Sequence, residues 1–216
     1  SSLCSTSMEI QLHGTLPSPI TLWSMQHRSV RQTLKSGKTY RPREEHCWPA
    51  VEEGPTAAPQ DLRAQFARAY DWMAERLDHR DPRPDPSLRW PVWAYWSLGP
   101  SGMGKPDLRS LRQLEPGVML ELRVDAARVL LSDMDGWHGP LNDSFWGPGE
   151  PPFDEDRPTS SLSHRERTYV ERAKRRSWRR CLAVNPRRFT QAVLWEIRPD
   201  DVVSHRFFKG HLRPLH

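Results

Sequence analysis

Apolar residues recur at helical spacing through one long stretch of the chain. Leu62, Phe66, Ala69, Tyr70, Met73 and Leu77 fall on one stripe, which predicts a core-facing helix from about Asp61 to His79. The run DPRPDP (Asp81 to Pro86) ends it, since proline offers no amide donor and clashes with the preceding turn. A shorter helix is predicted from about His27 to Ser36, with Val30 and Leu34 at i, i+4 and Gly37 placed as its C′ residue. A third runs from about His164 to Leu182 on a thin stripe of Val170, Ala173, Ser177 and Cys181.

Strand signals lie between these helices. ITLWSM (Ile20 to Met25), WPVWAYW (Trp90 to Trp96), VMLELRV (Val118 to Val124), Val129 to Leu131, TQAVLWEI (Thr190 to Ile197) and Asp201 to Phe208 are β-prone or alternating. Strand alternation puts Trp93 and Tyr95 on one face and Ala94 and Trp96 on the other. By the same rule Gln191, Val193 and Trp195 share a face, opposite Ala192, Leu194 and Glu196. Helices and short strands without regular βαβ alternation predict an α+β fold, a small mixed or antiparallel sheet with segregated helices.

Proline and glycine punctuate the rest. Residues 1–19 read as a disordered leader, 20–209 as one α+β domain and 210–216 as a tail. Residues 41–59 are loop, and GPSGMG at 99–104 is a turn. Residues 144–163 carry no periodicity, the pattern of a long lid or binding loop.

Charge changes this picture at one place. The chain carries a net +5, yet the segment from His164 to Arg188 holds ten Lys/Arg against Glu166 and Glu171. Its surplus of eight exceeds that of the whole chain, so the remainder is mildly acidic. A cationic stripe of this kind suits phosphates, and Arg172, Arg175, Arg176, Arg179 and Arg180 are the candidate nucleic-acid contacts. Three cysteines far apart, with no C-x-x-C pair, argue against a disulfide framework and for a reducing, cytoplasmic setting. No apolar run approaches the ~18 residues of a membrane span, so no membrane partner is expected. Oligomeric state is left open.

Candidate chemistry gathers in three further places. In LLSDMDGWHGPLND (Leu130 to Asp143), Asp133, Asp135, His138 and Asn142 surround Trp137. Two carboxylates leaving a strand suit a divalent cation, or the first of them caps a short helix over 136–142. No His/Cys metal site is predicted. The aromatic run with Trp93, Tyr95 and Trp96, followed by Asp107 and Arg109, forms a stacking wall or plain core. Glu196 ends an otherwise apolar strand face, where enclosure would raise its pKa and suit it to general acid–base work.

The segments LWSMQ, AYDWM, PVWAYW, KPDLR, VLLSDMDGWH and QAVLWEI, in that order from about Leu22 to Phe208, together resemble an uncharacterised bacterial domain-of-unknown-function family. That resemblance implies that Trp23, Trp93, Trp96, Asp107, Arg109, Asp133, Asp135, Trp137, His138 and Gln191 belong to a family pattern. A looser likeness links TLWSMQHRSVRQTLKSG and QAVLWEI to the small ADP-ribosyltransferases, with Gln26 near the first strand and Val193 where that family's Glu would stand. It implies NAD as a substrate and transfer of ADP-ribose to a nucleic acid or protein. Trp93, Trp96 and Trp137 would then enclose the nicotinamide, and Gln191 or Glu196 would polarise the ribose. The alternative expectation is a non-catalytic nucleic-acid-binding module working through the basic helix.

Overall fold

In the computed structural model, which describes residues 16–43, 59–98, 106, 116–185 and 187–209, ten regular elements build one six-stranded sheet with helices on both faces. In chain order they are β1 (Ile20–His27), α1 (Arg28–Lys35), α2 (Pro59–Arg80), β2 (Val92–Leu98), β3 (Gly117–Val124), β4 (Leu130–Asp133), α3 (Met134–Leu141), α4 (His164–Trp178), β5 (Phe189–Leu194) and β6 (Val202–Phe208). The strands run β4-β5-β2-β1-β3-β6, and every neighbouring pair is antiparallel. The α+β expectation is met, in its antiparallel form.

Local chemistry explains where the helices start and stop. His27 caps α1 by accepting the Ser29 amide. At the other end Gly37 takes φ +77°, with Gly37 N–H bonded to Leu34 O and Lys38 N–H to Thr33 O, the paired bonds of a Schellman motif. Ser163 and Glu166 form a reciprocal capping box at the start of α4. Those bonds, with Arg157 beside it, hold the Glu166 carboxyl down to about 2. The basic helix is α-helical only to Trp178; Arg179–Leu182 tighten into a 3-10 turn.

Two apolar layers sandwich the sheet. On one face Ile20, Leu22, Ala94, Trp96, Leu120, Leu122, Leu131, Ala192 and Leu194 pack under Val30 and Leu34 of α1. On the other, Leu130, Val193, Trp93 and Trp195 meet Ala69, Trp72, Met73 and Leu77 of α2, Trp137 of α3 and Trp178. Full burial of each large side chain contributes roughly 1.5–3 kcal/mol, so the four fully buried indoles Trp72, Trp90, Trp178 and Trp195 are major contributors. Leu16 also enters the core, and Ser18 donates to Asp125, so residues 16–19 belong to the domain rather than to a leader. A nonpolar side chain so close to the first strand gains more from burial than its ordering costs.

Glycines in α3 permit close packing. A Cβ on Gly136 would meet Cys181 at 2.9 Å, and one on Gly139 would meet Trp146 at 2.7 Å. The stretch 144–163 is irregular as expected, apart from a 3-10 turn at Thr159–Ser161. It is not draped over an aromatic cleft. It lies along α4: Trp146 N–H donates to Ser177 Oγ, Tyr169 Oη to Pro152 O, and Trp178 Nε1–H to Ser144 O.

The connection into β4 is tied to the connection between β5 and β6 by a buried ion pair. Arg128 bonds Asp201 through two nitrogens, at 2.7 and 3.1 Å, and also donates to Glu196 O. Arg128→Met would leave the Asp201 carboxylate buried without its cation, a loss of about 3–5 kcal/mol. Urea unfolding is expected to show a correspondingly lower midpoint with an unchanged slope.

Candidate functional site

Opposed residues of an antiparallel pair point to the same side of the sheet, so the register converts directly into sidedness. Ser132 lies opposite Gln191, Gln191 opposite Tyr95, Tyr95 opposite Trp23, Trp23 opposite Glu121, and Glu121 opposite Ser204. One row therefore crosses all six strands, with a polar or amphipathic side chain at each position. It lies on the face that carries α2 and α3. The adjoining row, Leu130–Val193–Trp93, is apolar.

Above Trp93 the aromatic rings interlock. Trp93 and Trp137 lie 5.0 Å apart, Tyr70 stacks on Trp137 at 6.1 Å with an interplanar angle of 3°, and Tyr70 meets Trp90 edge-on at 5.5 Å. Tyr70 was expected as core; its role in joining Trp90, Trp93 and Trp137 depends on α2 docking where it does. Trp90 anchors the cluster by donating its Nε1–H to Asp71.

Within the row, satisfaction is uneven. Ser204 donates to Glu121 at 2.6 Å. Trp23 Nε1, Gln191 Nε2 and Ser132 Oγ are buried and have no hydrogen-bond partner among the described residues. Each such group costs about 1–3 kcal/mol. Burial also pushes the Tyr95 hydroxyl pKa up.

The expected site residues do not all converge here. Trp23, Trp93, Tyr95, Trp137 and Gln191 share this side of the sheet. Trp96 lies in the opposite core layer with Ala94, as alternation expects, and β2 shifts register around it, between Tyr95 and Ser97. Gln26 has the parity of Ser24, opposite to that of Trp23, and donates to Ser24 Oγ at 2.8 Å. Asp107 and Arg109 lie outside the described residues.

The pair Asp133 and Asp135 is occupied by the chain itself. Asp133 caps α3 by accepting the Gly136 amide at 2.8 Å, as the capping alternative expected, and the helix begins two residues earlier than 136. Arg188 then binds both carboxylates, Asp133 at 3.2 Å and Asp135 at 2.8 Å. The two acids hold a guanidinium, which takes the place a divalent cation would fill. His138 is exposed, its ring nitrogen near Asp135 O, and Asn142 is the exposed C-cap residue of α3. Among the described residues no cluster of three His, Cys, Asp or Glu could hold a metal ion.

Glu196 sits beyond the far end of β5 from Asp133, which pairs with Thr190 near its start. Its carboxylate bonds Arg41 at 3.0 Å and Arg198 at 2.9 Å. Burial pushes its pKa up, but the hydrogen bonds and charges of Arg198 and Arg41 outweigh burial and hold it below the usual glutamate range. The expectation of a raised pKa is therefore corrected: the strand face is enclosed, yet one guanidinium stands two residues on, at Arg198, and a second arrives from Arg41, far away in the chain. The neighbouring cavity of about 610 Å³ is lined by Arg41, Asp85, Arg89 and Trp90, with Ser29 and Thr33 of α1. Arg41 spans Glu196 and Asp85, and Arg89 bonds Asp71, so these two of its cations pair with acids of the chain; Arg43 also lines it.

A second concavity has the opposite character. Between α2 and α4 a cavity of about 350 Å³ is lined by Trp72, Arg76, Arg172, Arg175, Arg176 and Arg179. The four arginines of the basic segment stand at i, i+3, i+4 and i+7, one face of a helix. Arg76, contributed by α2, is the member that the reading of the sequence missed; it follows Trp72 at i+4, which was the available signal. One acid, Glu75, serves Arg175 at 2.8 Å and Arg76 at 3.4 Å. Arg172, Arg176 and Arg179 are exposed and have no ion-pair partner among the described residues. Arg180 lies outside the cavity.

These features define an α+β protein with a single antiparallel sheet, an aromatic-and-polar row on one face and an arginine-lined groove between two helices. The chain belongs to the family described as Domain of unknown function (DUF3841), which matches residues 21–203. No curated protein and no solved structure matches it. No helix among the described residues is long and apolar enough to cross a membrane.

The Glu196 cluster has a signed pH signature. A pKa lowered by folding adds stability above the unfolded value of about 4.3, and that stability is lost as pH falls through the folded value. Wild type is expected to lose stability below about pH 4.5 more steeply than Glu196→Gln. Urea midpoints measured between pH 6 and pH 3 would show the difference in slope.

Proposed function

We propose that the protein binds nucleic acid in single-stranded form, without catalysis, through the arginine groove between α2 and α4. The observation that carries this reading is the set of three arginines without an ion-pair partner among the described residues, Arg172, Arg176 and Arg179, lining one concavity with Arg76 and Arg175. Like charges at i, i+4 on a helix destabilise it by about 0.2–0.5 kcal/mol per pair. A solubility surface would intersperse acids; among the described residues only Glu75 and Glu171 pair with the groove's arginines. A phosphate chain relieves that repulsion and releases its own counterions.

Tyr169 favours a single strand over a duplex. It lies on the same stripe, three residues before Arg172, and is 54% exposed. Bases of an unpaired strand stack on such a ring, contributing about 1–3 kcal/mol each. The acidic groups first considered for catalysis support the same reading. Asp133 and Glu196 stand at opposite ends of β5, each held by arginine, and they share no cleft.

Fluorescence anisotropy with a labelled single-stranded oligonucleotide tests this. Affinity is expected to fall linearly on a logarithmic salt scale, with a slope near −0.7 per phosphate neutralised. Triple charge reversal at Arg172, Arg176 and Arg179 is expected to abolish binding while leaving the circular dichroism spectrum unchanged, and Tyr169→Ala to weaken it about 5- to 100-fold. Binding unaffected by the triple reversal would remove the proposal.

A further inference from the structure

We propose that the larger cavity, beside α1, binds a small phosphorylated polyol, the chemistry of a sugar phosphate, at a place separate from the arginine groove. Its volume is about 610 Å³, within the range of about 300–1,000 Å³ usual for small-molecule sites. A bare phosphate would leave most of that space unfilled. Leu88 and Trp90 contribute buried walls, while Thr39, Arg41, Arg43, Ser87 and Arg89 are exposed and form a mouth open to solvent.

Charge sets the first half of the ligand. Three guanidiniums and one carboxylate, Asp85, line the cavity, a surplus of two positive charges. A phosphate monoester carries about −1.5 to −2 at neutral pH, a closer match to that surplus than a single carboxylate. The acids here are turned to the protein's own use. Asp85 accepts from the Ser87 amide at 2.9 Å and the Ser87 hydroxyl at 2.8 Å, and lies 3.5 Å from Arg41. Behind the lining, Arg41 and Arg198 hold Glu196, and Arg89 and Trp90 hold Asp71. The same bonds fix the cations in place. Arg89 reaches Asp71 through two nitrogens, at 3.1 and 3.2 Å, and lies 4.6 Å from the Trp90 ring centroid. Arg41 follows Tyr40, whose backbone pairs with Ile197, and bonds Glu196 through Nε. A guanidinium carries five donors, and one anchored along one edge loses little freedom when another edge meets a phosphate.

Hydroxyl groups set the second half. Thr33 Oγ1 donates to Ser29 O, and Ser87 Oγ donates to Asp85, so their protons are engaged and their lone pairs are left to accept. The Thr39 hydroxyl makes no hydrogen bond among the described residues. The O–H groups of a polyol supply donors to such oxygens. A nucleobase is disfavoured, because no ring here offers an open face for stacking. Trp90 is buried beneath Arg89 and meets Tyr70 edge-on at 5.5 Å, and Tyr40 packs against the α1-side core. A metal cation is disfavoured by the surplus of positive charge.

Isothermal titration and thermal shift on the full chain test the assignment. The probes are the primary-hydroxyl phosphates of ribose, glucose and glycerol, the three parent polyols, and inorganic phosphate. At least one polyol phosphate is expected to bind, more tightly than inorganic phosphate and than its unphosphorylated parent. Arg43→Met is expected to weaken that binding about tenfold or more, the loss of a hydrogen bond to a charged group. Thr39→Val, a second exposed position in case the Arg43 variant misfolds, is expected to weaken it several-fold. Reversal of Arg172, Arg176 and Arg179 should leave this affinity unchanged, which separates the cavity from the groove. No binding by any polyol phosphate would overturn the proposal, as would equal affinity for inorganic phosphate or for the unphosphorylated parent. Binding lost on reversal of the groove arginines but kept in both Arg43→Met and Thr39→Val would also overturn it.

Discussion

The antiparallel pairing of β5 between β4 and β2 places Gln191 opposite both Ser132 and Tyr95, and the sidedness of the molecule's centre follows from it. A slip of one residue would exchange the two faces of β5. Gln191 would then enter the aliphatic layer beneath α1, and Leu194 would meet the aromatic cluster. Both faces of this sheet are packed, so the register is set by two cores at once. The bulge after Tyr95 is part of the same constraint: it lets β2 continue to Leu98 while Trp96 stays with Ala94 in the α1-side core.

The distribution of charge separates what holds the fold from what faces outward. Arginines near the sheet ends are tied to specific acids: Arg128 to Asp201, Arg41 and Arg198 to Glu196, and Arg188 to Asp133 and Asp135. Asp133, Asp135 and Glu196 drew attention as candidate cation ligands or acid–base groups because they follow apolar strands. Such positions also need neutralisation, and this chain neutralises them with guanidiniums, most of them brought from distant parts of the chain and one, Arg198, from two residues on. The arginines of α4 differ in lacking enough acids. That imbalance, more than any carboxylate, distinguishes a surface that a polyanion would complete.

Much of the architecture was legible before folding was considered. Helix positions followed from 3.6-residue periodicity and from local stops such as DPRPDP and Gly37; the Schellman bonds and capping boxes that define their ends are short-range chemistry. Strand parity was equally readable, so Trp93 with Tyr95, and Gln191 with Val193 and Trp195, share faces as alternation required. The basic face of α4 was visible as a run of charge. What could not be read was partnership: that Arg76 joins the groove, that Arg41 and Arg198 clamp Glu196, or that Ser132, Gln191 and Trp23 line up.

The sequence by itself therefore determined the elements, their faces and the sign of the exposed helix, because those depend on residues within a few positions of one another. Only the tertiary structure decided strand order, the row across six strands, the aromatic cluster around Tyr70, and the protonation preference of Glu196. Each of these depends on groups tens to more than a hundred residues apart, as with Arg41 and Glu196 or Ser24 and Trp93. Spacing along the chain cannot encode such contacts; they arise when two packed faces and the pairing of buried charges are satisfied together.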